Sequence, residues 1–79
     1  MKKTIHNESY KNIINELRSY REKNNIKQSD LAKNIDRDQT FISKVENFER
    51  RIDVIEFIEI CKQLKLSAIN ILKRNTDIE

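Results

Sequence analysis

The chain has 79 residues, of which 37% are charged and 37% hydrophobic, and its formal net charge at pH 7 is +3. This length predicts one small domain, and no apolar run approaches the ~18 residues of a spanning helix, a pattern that does not suit a membrane protein. The weak positive charge is compatible with nucleic-acid binding and with many other functions.

We expect a single domain over residues 1–79, with an ordered core at about 8–74 and frayed ends. The N-terminal stretch MKKTIHNESY is basic but lacks the apolar segment of a signal peptide. The lone cysteine, Cys61, cannot form an intramolecular disulfide, and this favours the reducing cytoplasm. The only histidine, His6, has no cluster of cysteines or carboxylates at ligand spacing, so no metal site is expected.

Apolar residues recur at helical spacing and predict an all-α domain of five helices. The stripe of the first helix is Tyr10, Ile13, Ile14, Leu17 and Tyr20. That helix ends at Asn24-Asn25, because asparagine tolerates the left-handed conformation. The second runs from about Gln28 to Ile35 and the third from about Gln39 to Asn47. Their predicted inward residues are Leu31, Ala32, Ile35, Ile42 and Val45, with Phe41 at the edge.

The fourth helix is predicted to begin after Asp53 and the fifth after Ser67, which is a good N-cap residue. The expected inward face of the fourth helix is Val54, Phe57, Ile58, Cys61 and Leu64. The expected inward face of the fifth is Ala68, Ile69 and Leu72, with Ile71 off the stripe. Glu56 and Glu59 are expected on a solvated face.

The second and third helices have only about two turns each, so neither is stable alone in water. Only Asp36, Arg37 and Asp38 separate them. Two short helices joined by such a turn form a helix-turn-helix, whose second helix enters the DNA major groove. Because the chain has no glycine, we expect Asp36 to adopt the positive φ of the corner. Asp38 is the predicted N-cap of the third helix.

The third helix carries polar residues opposite Ile42 and Val45, namely Gln39, Thr40, Ser43, Lys44 and Asn47. Amides bond adenine edges, and hydroxyls and methyl groups suit thymine. A solvated face more often carries Glu–Lys pairs four residues apart. Alone, the pattern favours a solvated face; within a helix-turn-helix it favours base reading.

Three blocks in this order, KQSDLA, RDQTFISKVENFERR and IDVIEFIEICKQLKLS, resemble the lambda-repressor-like (Cro/XRE) helix-turn-helix regulators. The resemblance covers roughly Ile13 to Leu72. It implies a five-helix domain that binds operator DNA as a two-fold dimer. The implied phosphate and sugar contacts are Gln28, Arg37, Ser43, Asn47, Arg50 and Arg51, and the implied base-reading residues are Gln39, Thr40 and Lys44.

The resemblance also implies a structural ion pair between Arg21 and Glu46. The family often has glycine at four positions that are Asn25, Asp36, Phe48 and Lys65 here. A bulky residue is disfavoured at positive φ, so Asn47 is expected to adopt that conformation one residue before Phe48. Phe48 is then either an exposed aromatic that contacts DNA or a partner subunit, or a side chain folded onto the domain.

We expect Cys61 to pack in the core, and we expect no enzymatic activity and no cofactor. The predicted function is sequence-specific, double-stranded DNA-binding transcriptional regulation, as a dimeric repressor on a palindromic operator. The alternative is a protein-interaction module of the same fold, such as an antitoxin-like partner or an adaptor, with weak or no DNA binding. The apolar excess of the fifth helix reflects either ordinary packing or a dimer seam of Ile69, Ile71 and Leu72; the family's habit favours the seam.

Overall fold

The computed structural model describes residues 7–77, and within them the chain forms five α-helices and no strands. They are α1 (Glu8–Lys23), α2 (Gln28–Asn34), α3 (Gln39–Glu46), α4 (Val54–Leu64) and α5 (Ala68–Asn75). The predicted all-α, five-helix fold is confirmed. No helix in this part of the chain is long and apolar enough to cross a membrane. His6 and the basic N-terminal stretch before it lie outside the described residues.

Side-chain caps mark where α1, α3, α4 and α5 begin. The Asp38 carboxylate accepts a hydrogen bond from the Phe41 N–H (3.0 Å), and the Ser67 hydroxyl accepts one from the Asn70 N–H (3.2 Å), so both predicted N-caps are confirmed. Asn7, which falls within the predicted frayed end, caps α1 by accepting a hydrogen bond from Tyr10. These caps satisfy amides that have no partner within their helix.

All four turns that link helices within residues 7–77 contain one residue at positive φ: Asn25, Asp36, Phe48 and Lys65. Each turn is closed by an N–H bonded to the carbonyl five residues earlier, as in Glu49 to Lys44 at 2.8 Å. This is the Schellman arrangement that glycine usually ends. The prediction for Asp36 is therefore confirmed, with φ at 58°.

The expectation that Asn47 replaces Phe48 at positive φ is wrong. Asn47 stays at −92° because its N–H still bonds the Ser43 carbonyl in the last turn of α3 (3.0 Å), and Phe48 has φ 62°. The Phe48 ring is half-buried against the core, with the Lys11 ammonium 5.7 Å from its centroid. Of the two alternatives for this side chain, the structure has the one folded onto the domain.

The core lies between α1 and the other helices, since α1 packs on α3, α4 and α5 and α2 packs on α3 and α4. Its buried apolar residues are Ile13, Ile14, Leu17, Leu31, Ala32, Ile35, Phe41, Ile42, Val45, Phe57, Ile60, Cys61, Leu64 and Ile71. The predicted inward residues of α2 and α3 are all among them. Removal of this apolar surface from water is the main stabilising contribution to the fold.

The inward faces predicted for α4 and α5 are partly wrong. In α4, Val54 and Ile58 are exposed, and Ile60 is buried in their place. The inward side of α4 includes Glu56 as well as apolar residues, so the helix is rotated relative to the predicted apolar stripe. In α5, Ile71 is 0% exposed and Ile69 is 62% exposed. Ile71 faces inward because α5 packs between α1 and α4 along the line of Ala68, Ile71 and Leu72. A dimer seam that includes Ile71 is thus excluded, because this side chain is fully covered within one chain.

Candidate nucleic-acid interface

The turn through Asp36 brings α2 against the N-terminal part of α3 and leaves one face of α3 open. Phe41, Ile42, Val45 and Glu46 are buried on the inner face of α3. On the other face Gln39, Thr40, Lys44 and Asn47 are exposed and Ser43 is half-buried. The five polar residues singled out on this helix therefore share one accessible surface, which we call the α3 face.

A chain of hydrogen bonds joins the α3 face to a buried ion pair. The Arg21 guanidinium donates to Glu46 from Nε (2.7 Å) and Nη2 (3.0 Å), so the predicted structural pair is confirmed. Glu46 Oε1 also accepts from Gln28 Nε2 (2.8 Å), and Gln28 Oε1 accepts from Gln39 Nε2 (3.2 Å). Gln28 is therefore half-buried and fixes the orientation of the Gln39 side chain at the start of α3.

Arg37 and Arg50 converge on Glu56, a carboxylate predicted to be solvated. Glu56 is only 4% exposed, which corrects that prediction. Its Oε2 accepts from Arg37 Nη2 (2.6 Å) and Arg50 Nη2 (3.2 Å), and its Oε1 accepts from Arg50 Nη1 (3.1 Å). The guanidinium of each arginine also lies 4.6 Å from the centroid of the Phe41 ring, within cation–π range.

The same carboxylate caps α4. Glu56 Oε1 accepts from the Asp53 N–H (2.9 Å), and the Asp53 carboxylate accepts from the Glu56 N–H (2.7 Å). Burial disfavours the charge of Glu56, but the hydrogen bonds from Arg50 and Asp53, with the charges of Arg50 and Arg37, hold the pKa of this carboxyl below its usual value. The Asp-x-x-Glu spacing is a capping-box signature, so the sequence carries a signal for the bond of Glu56 to the Asp53 N–H but none for its arginine partners.

Arg51 lies beside this cluster in the loop between α3 and α4. It is exposed, and its carbonyl accepts a hydrogen bond from Arg50 Nη1 (2.7 Å). Together with Arg37 and Arg50 it adds positive charge near the two ends of α3. Arg37 precedes α3 and the other two follow it, so basic groups flank the α3 face along the chain.

Cys61, the one cysteine of the chain, has a structural role. Burial, and secondarily the charge of Glu16, raise the pKa of the Cys61 thiol from 9.0 to about 11, so Cys61 is a neutral core residue near pH 7, as predicted. Between residues 7 and 77, no three His, Cys, Asp or Glu side chains are grouped to bind a metal ion.

This fold, with its polar α3 face, is that of a helix-turn-helix DNA-binding regulator of the XRE kind. Proteins of this class are generally not enzymes. Residues 17–69 match the model of the family described as Helix-turn-helix, and the chain belongs to that family. It is also similar to the solved structure of an XRE-family like protein from Pseudomonas syringae pv. tomato str. DC3000. The two share 39% identity and a TM-score of 0.81, over 90% of this chain and 87% of the other. No curated protein matches the chain significantly.

Proposed function

We propose that this protein is a cytoplasmic transcriptional repressor that binds a palindromic operator as a homodimer. The observation that carries the proposal is the α3 face, where Gln39, Thr40 and Lys44 are exposed on a helix whose opposite side is buried. A helix presented in this way inserts into the major groove, where each base pair offers a distinct set of donors and acceptors.

In this proposal the α3 face supplies the sequence-dependent contacts. Gln39 uses one amide hydrogen to bond Gln28, and its Oε1 and second amide hydrogen fit the bidentate pairing of glutamine with adenine. Lys44 suits a guanine edge, and the Thr40 methyl suits thymine. Ser43 and Asn47 lie on the same face and are assigned to sugar and phosphate.

The remaining contacts go to the phosphate backbone and fix the position of α3 in the groove. Gln28, Arg37, Arg50 and Arg51 are assigned to phosphate oxygens. Gln28 keeps a second amide hydrogen beside the one bonded to Glu46. Contacts of this kind supply much of the affinity and make it depend on salt, without distinguishing bases.

The dimer is assigned to the outer faces of α4 and α5. Large apolar side chains are exposed there at Val54, Ile55, Ile58 and Ile69. Val54 also lines a groove with Leu72 of α5, so the two helices adjoin at these two apolar side chains. A two-fold contact would cover these side chains and set two recognition helices about 34 Å apart, one turn of DNA. The seam keeps Ile69 and Leu72 from the sequence prediction and replaces Ile71 with Val54, Ile55 and Ile58.

The test is a titration of the purified protein against labelled fragments of its own genome, including the segment directly upstream of its gene, with scrambled competitor. We expect saturable binding to one fragment that survives the competitor, and we expect Gln39→Ala to lose about 1–3 kcal/mol of its preference for that fragment. Gln63→Ala is the matched control, because it removes an exposed glutamine of α4 outside the α3 face. If no fragment is retained, the interaction-module alternative replaces this proposal.

A further inference from the structure

We propose that Glu56 is a positioning residue for DNA binding, which holds Arg37 and Arg50 in place to meet phosphates on either side of the recognition helix. This inference rests on the proposed function above. It assigns a role in DNA binding to a buried acid that contacts no DNA itself.

The carboxylate of Glu56 is held in place by its own helix, independently of the two arginines. It caps α4 through the reciprocal bonds with Asp53, and its position at the first turn of α4 is therefore set by the helix. Its two oxygens then accept the remaining hydrogen bonds from guanidinium groups only. A side chain fixed in this way can impose its geometry on longer and more flexible partners.

The two arginines come from opposite ends of α3. Arg37 lies two residues before the first residue of α3 and Arg50 four residues after its last. Both guanidinium groups lie 4.6 Å from the centroid of Phe41, which is itself buried within α3. The Phe41 ring and the Glu56 carboxylate therefore fix both basic groups relative to the α3 face.

Both arginines keep donors for a ligand. A guanidinium has five N–H donors. Arg37 donates one of them to Glu56, and Arg50 donates two to Glu56 and one to the Arg51 carbonyl. Both side chains are partly exposed. Because their rotamers are ordered before DNA arrives, less conformational entropy is lost on binding.

Charge repulsion alone predicts the opposite change in DNA affinity when the Glu56 charge is removed. A carboxylate near the phosphate backbone repels it, so removal of the charge would strengthen binding if Glu56 did nothing else. Positioning predicts weaker binding when the same charge is removed. The direction of the change therefore separates the two roles.

The test is the salt dependence of operator binding by Glu56→Gln, a variant that keeps the size of the side chain and a residue suited to the capping box. We expect the slope of log K against log salt to become shallower by ~0.9 for each phosphate that the arginines no longer neutralise. For one or two such phosphates, the ratio of the variant's affinity to that of the wild type is then roughly 8- to 60-fold lower at ~0.1 M salt than near 1 M. Glu59→Gln is the control, since it removes an exposed charge of α4, and it should not weaken binding.

A second comparison separates positioning from general damage to the fold. In an Arg37→Ala/Arg50→Ala background, Glu56→Gln should have no further effect on the slope; an equal effect there would overturn the proposal. Arg37→Lys and Arg50→Lys leave Glu56 intact and keep the charge, but lysine can reproduce neither the forked pair of Arg50 with Glu56 nor the planar contact of each guanidinium with the Phe41 ring. These variants should bind weakly, and full binding by both would also overturn the proposal.

The outcomes also distinguish this inference from the function on which it rests. If the wild-type protein retains no operator, the proposed function fails and this inference fails with it. If the wild type binds an operator and Glu56→Gln binds equally well or more tightly, only the positioning role is refuted.

Discussion

Arg21 and Glu46 form a two-point ion pair between α1 and the last residue of α3, with Nε–Oε2 and Nη2–Oε1 distances of 2.7 and 3.0 Å. Arg21 is 8% exposed and Glu46 is 7% exposed. Arg21 also donates from Nη1 to the Ile26 carbonyl (2.7 Å), which ties the pair to the α1–α2 link. The last residue of α3 is thus held to α1, and through Gln28 the same carboxylate is connected to the first residue of α3.

Removal of one partner of this pair should destabilise the domain strongly. Glu46→Ala leaves the Arg21 guanidinium buried without its carboxylate, and we expect a decrease of about 3–5 kcal/mol in the free energy of unfolding. Urea denaturation followed by circular dichroism measures it. Arg21→Met/Glu46→Leu is the control, because replacing both charges with apolar groups should recover most of the stability. A single variant as stable as the wild type would contradict the structural role of the pair.

Much of this architecture could be predicted from the sequence because local signals determine it. Asp38 and Ser67 are N-caps by residue type, and Asp36 is the residue of its turn best suited to positive φ. The α5 prediction failed for a physical reason. An eight-residue helix has about two turns, so Ala68 and Leu72 fit one apolar stripe with Ile69 and a different one with Ile71. Only the packing of α5 on α1 and α4 selects Ile71.

The prediction for Glu56 failed for a different reason. Charged residues are rarely buried unless they are paired, and its partners, Arg37 and Arg50, lie 19 and six residues away in the chain. No local periodicity predicts that three such side chains will meet. The α3 face could be predicted because the regular geometry of one helix places its residues. The environment of the flanking arginines could not be predicted, because it depends on tertiary structure.

Lys65 offers a direct measure of the cost of building this fold without glycine. It is exposed and sits at φ 59° after α4, a conformation that costs a non-glycine residue about 1–2 kcal/mol. Lys65→Gly should relieve this backbone strain. Glycine also has greater chain entropy in the unfolded state, which offsets part of the gain, so the net stability should rise by about 0.5–1 kcal/mol. Thermal and urea unfolding measure the gain. Lys65→Ala removes the same side chain but keeps a Cβ, so an equal gain there would refute the backbone explanation.

The hydrogen bond from Gln39 to Gln28 predicts coupling between the two glutamines in base discrimination. Gln39→Ala should reduce the binding preference for the correct base at one operator position by about 1–3 kcal/mol. Gln28→Ala should reduce discrimination at that same position, because Gln39 is then no longer held at 3.2 Å from its partner.

The check is binding to operators substituted one position at a time. The Gln28→Ala/Gln39→Ala double variant should discriminate no worse at that position than Gln39→Ala alone. Additive effects would mean that the two side chains act independently. Lys44→Ala should relax discrimination at a different operator position.

The exposed apolar side chains of α4 and α5 predict how the oligomeric state responds to mutation. Ile69→Asp places a charge on the proposed two-fold surface, and we expect it to shift the protein from dimer to monomer in sedimentation equilibrium and to weaken binding to a two-site operator. The neighbouring Asn70→Asp adds the same charge at another exposed position of α5 and should leave the dimer intact. A wild-type protein that sediments as a monomer at every concentration would refute the homodimer.

Acid should destabilise the domain through two carboxylates whose partners favour the charged form. The hydrogen bond from Arg74, opposed by burial and assisted by Asn75, holds the pKa of Glu16 below its ordinary value of 4.5, and the pKa of Glu56 is also lowered. Because each folded-state pKa lies below the unfolded one, the stabilisation is complete above pH 4.5. It is lost as the pH falls through the folded-state values.

The free energy of unfolding, measured by urea denaturation between about pH 7 and pH 3, should therefore decline over the acidic part of that range. Glu16→Gln should be less stable than the wild type near pH 7 and should show a smaller decline, because the stabilising carboxylate is absent at every pH. Glu59→Gln removes a carboxyl that lies outside both clusters and should retain the acid sensitivity of the wild type. If Glu16→Gln loses stability in acid as steeply as the wild type does, the contact of α1 with Arg74 and Asn75 of α5 does not contribute to the pH dependence.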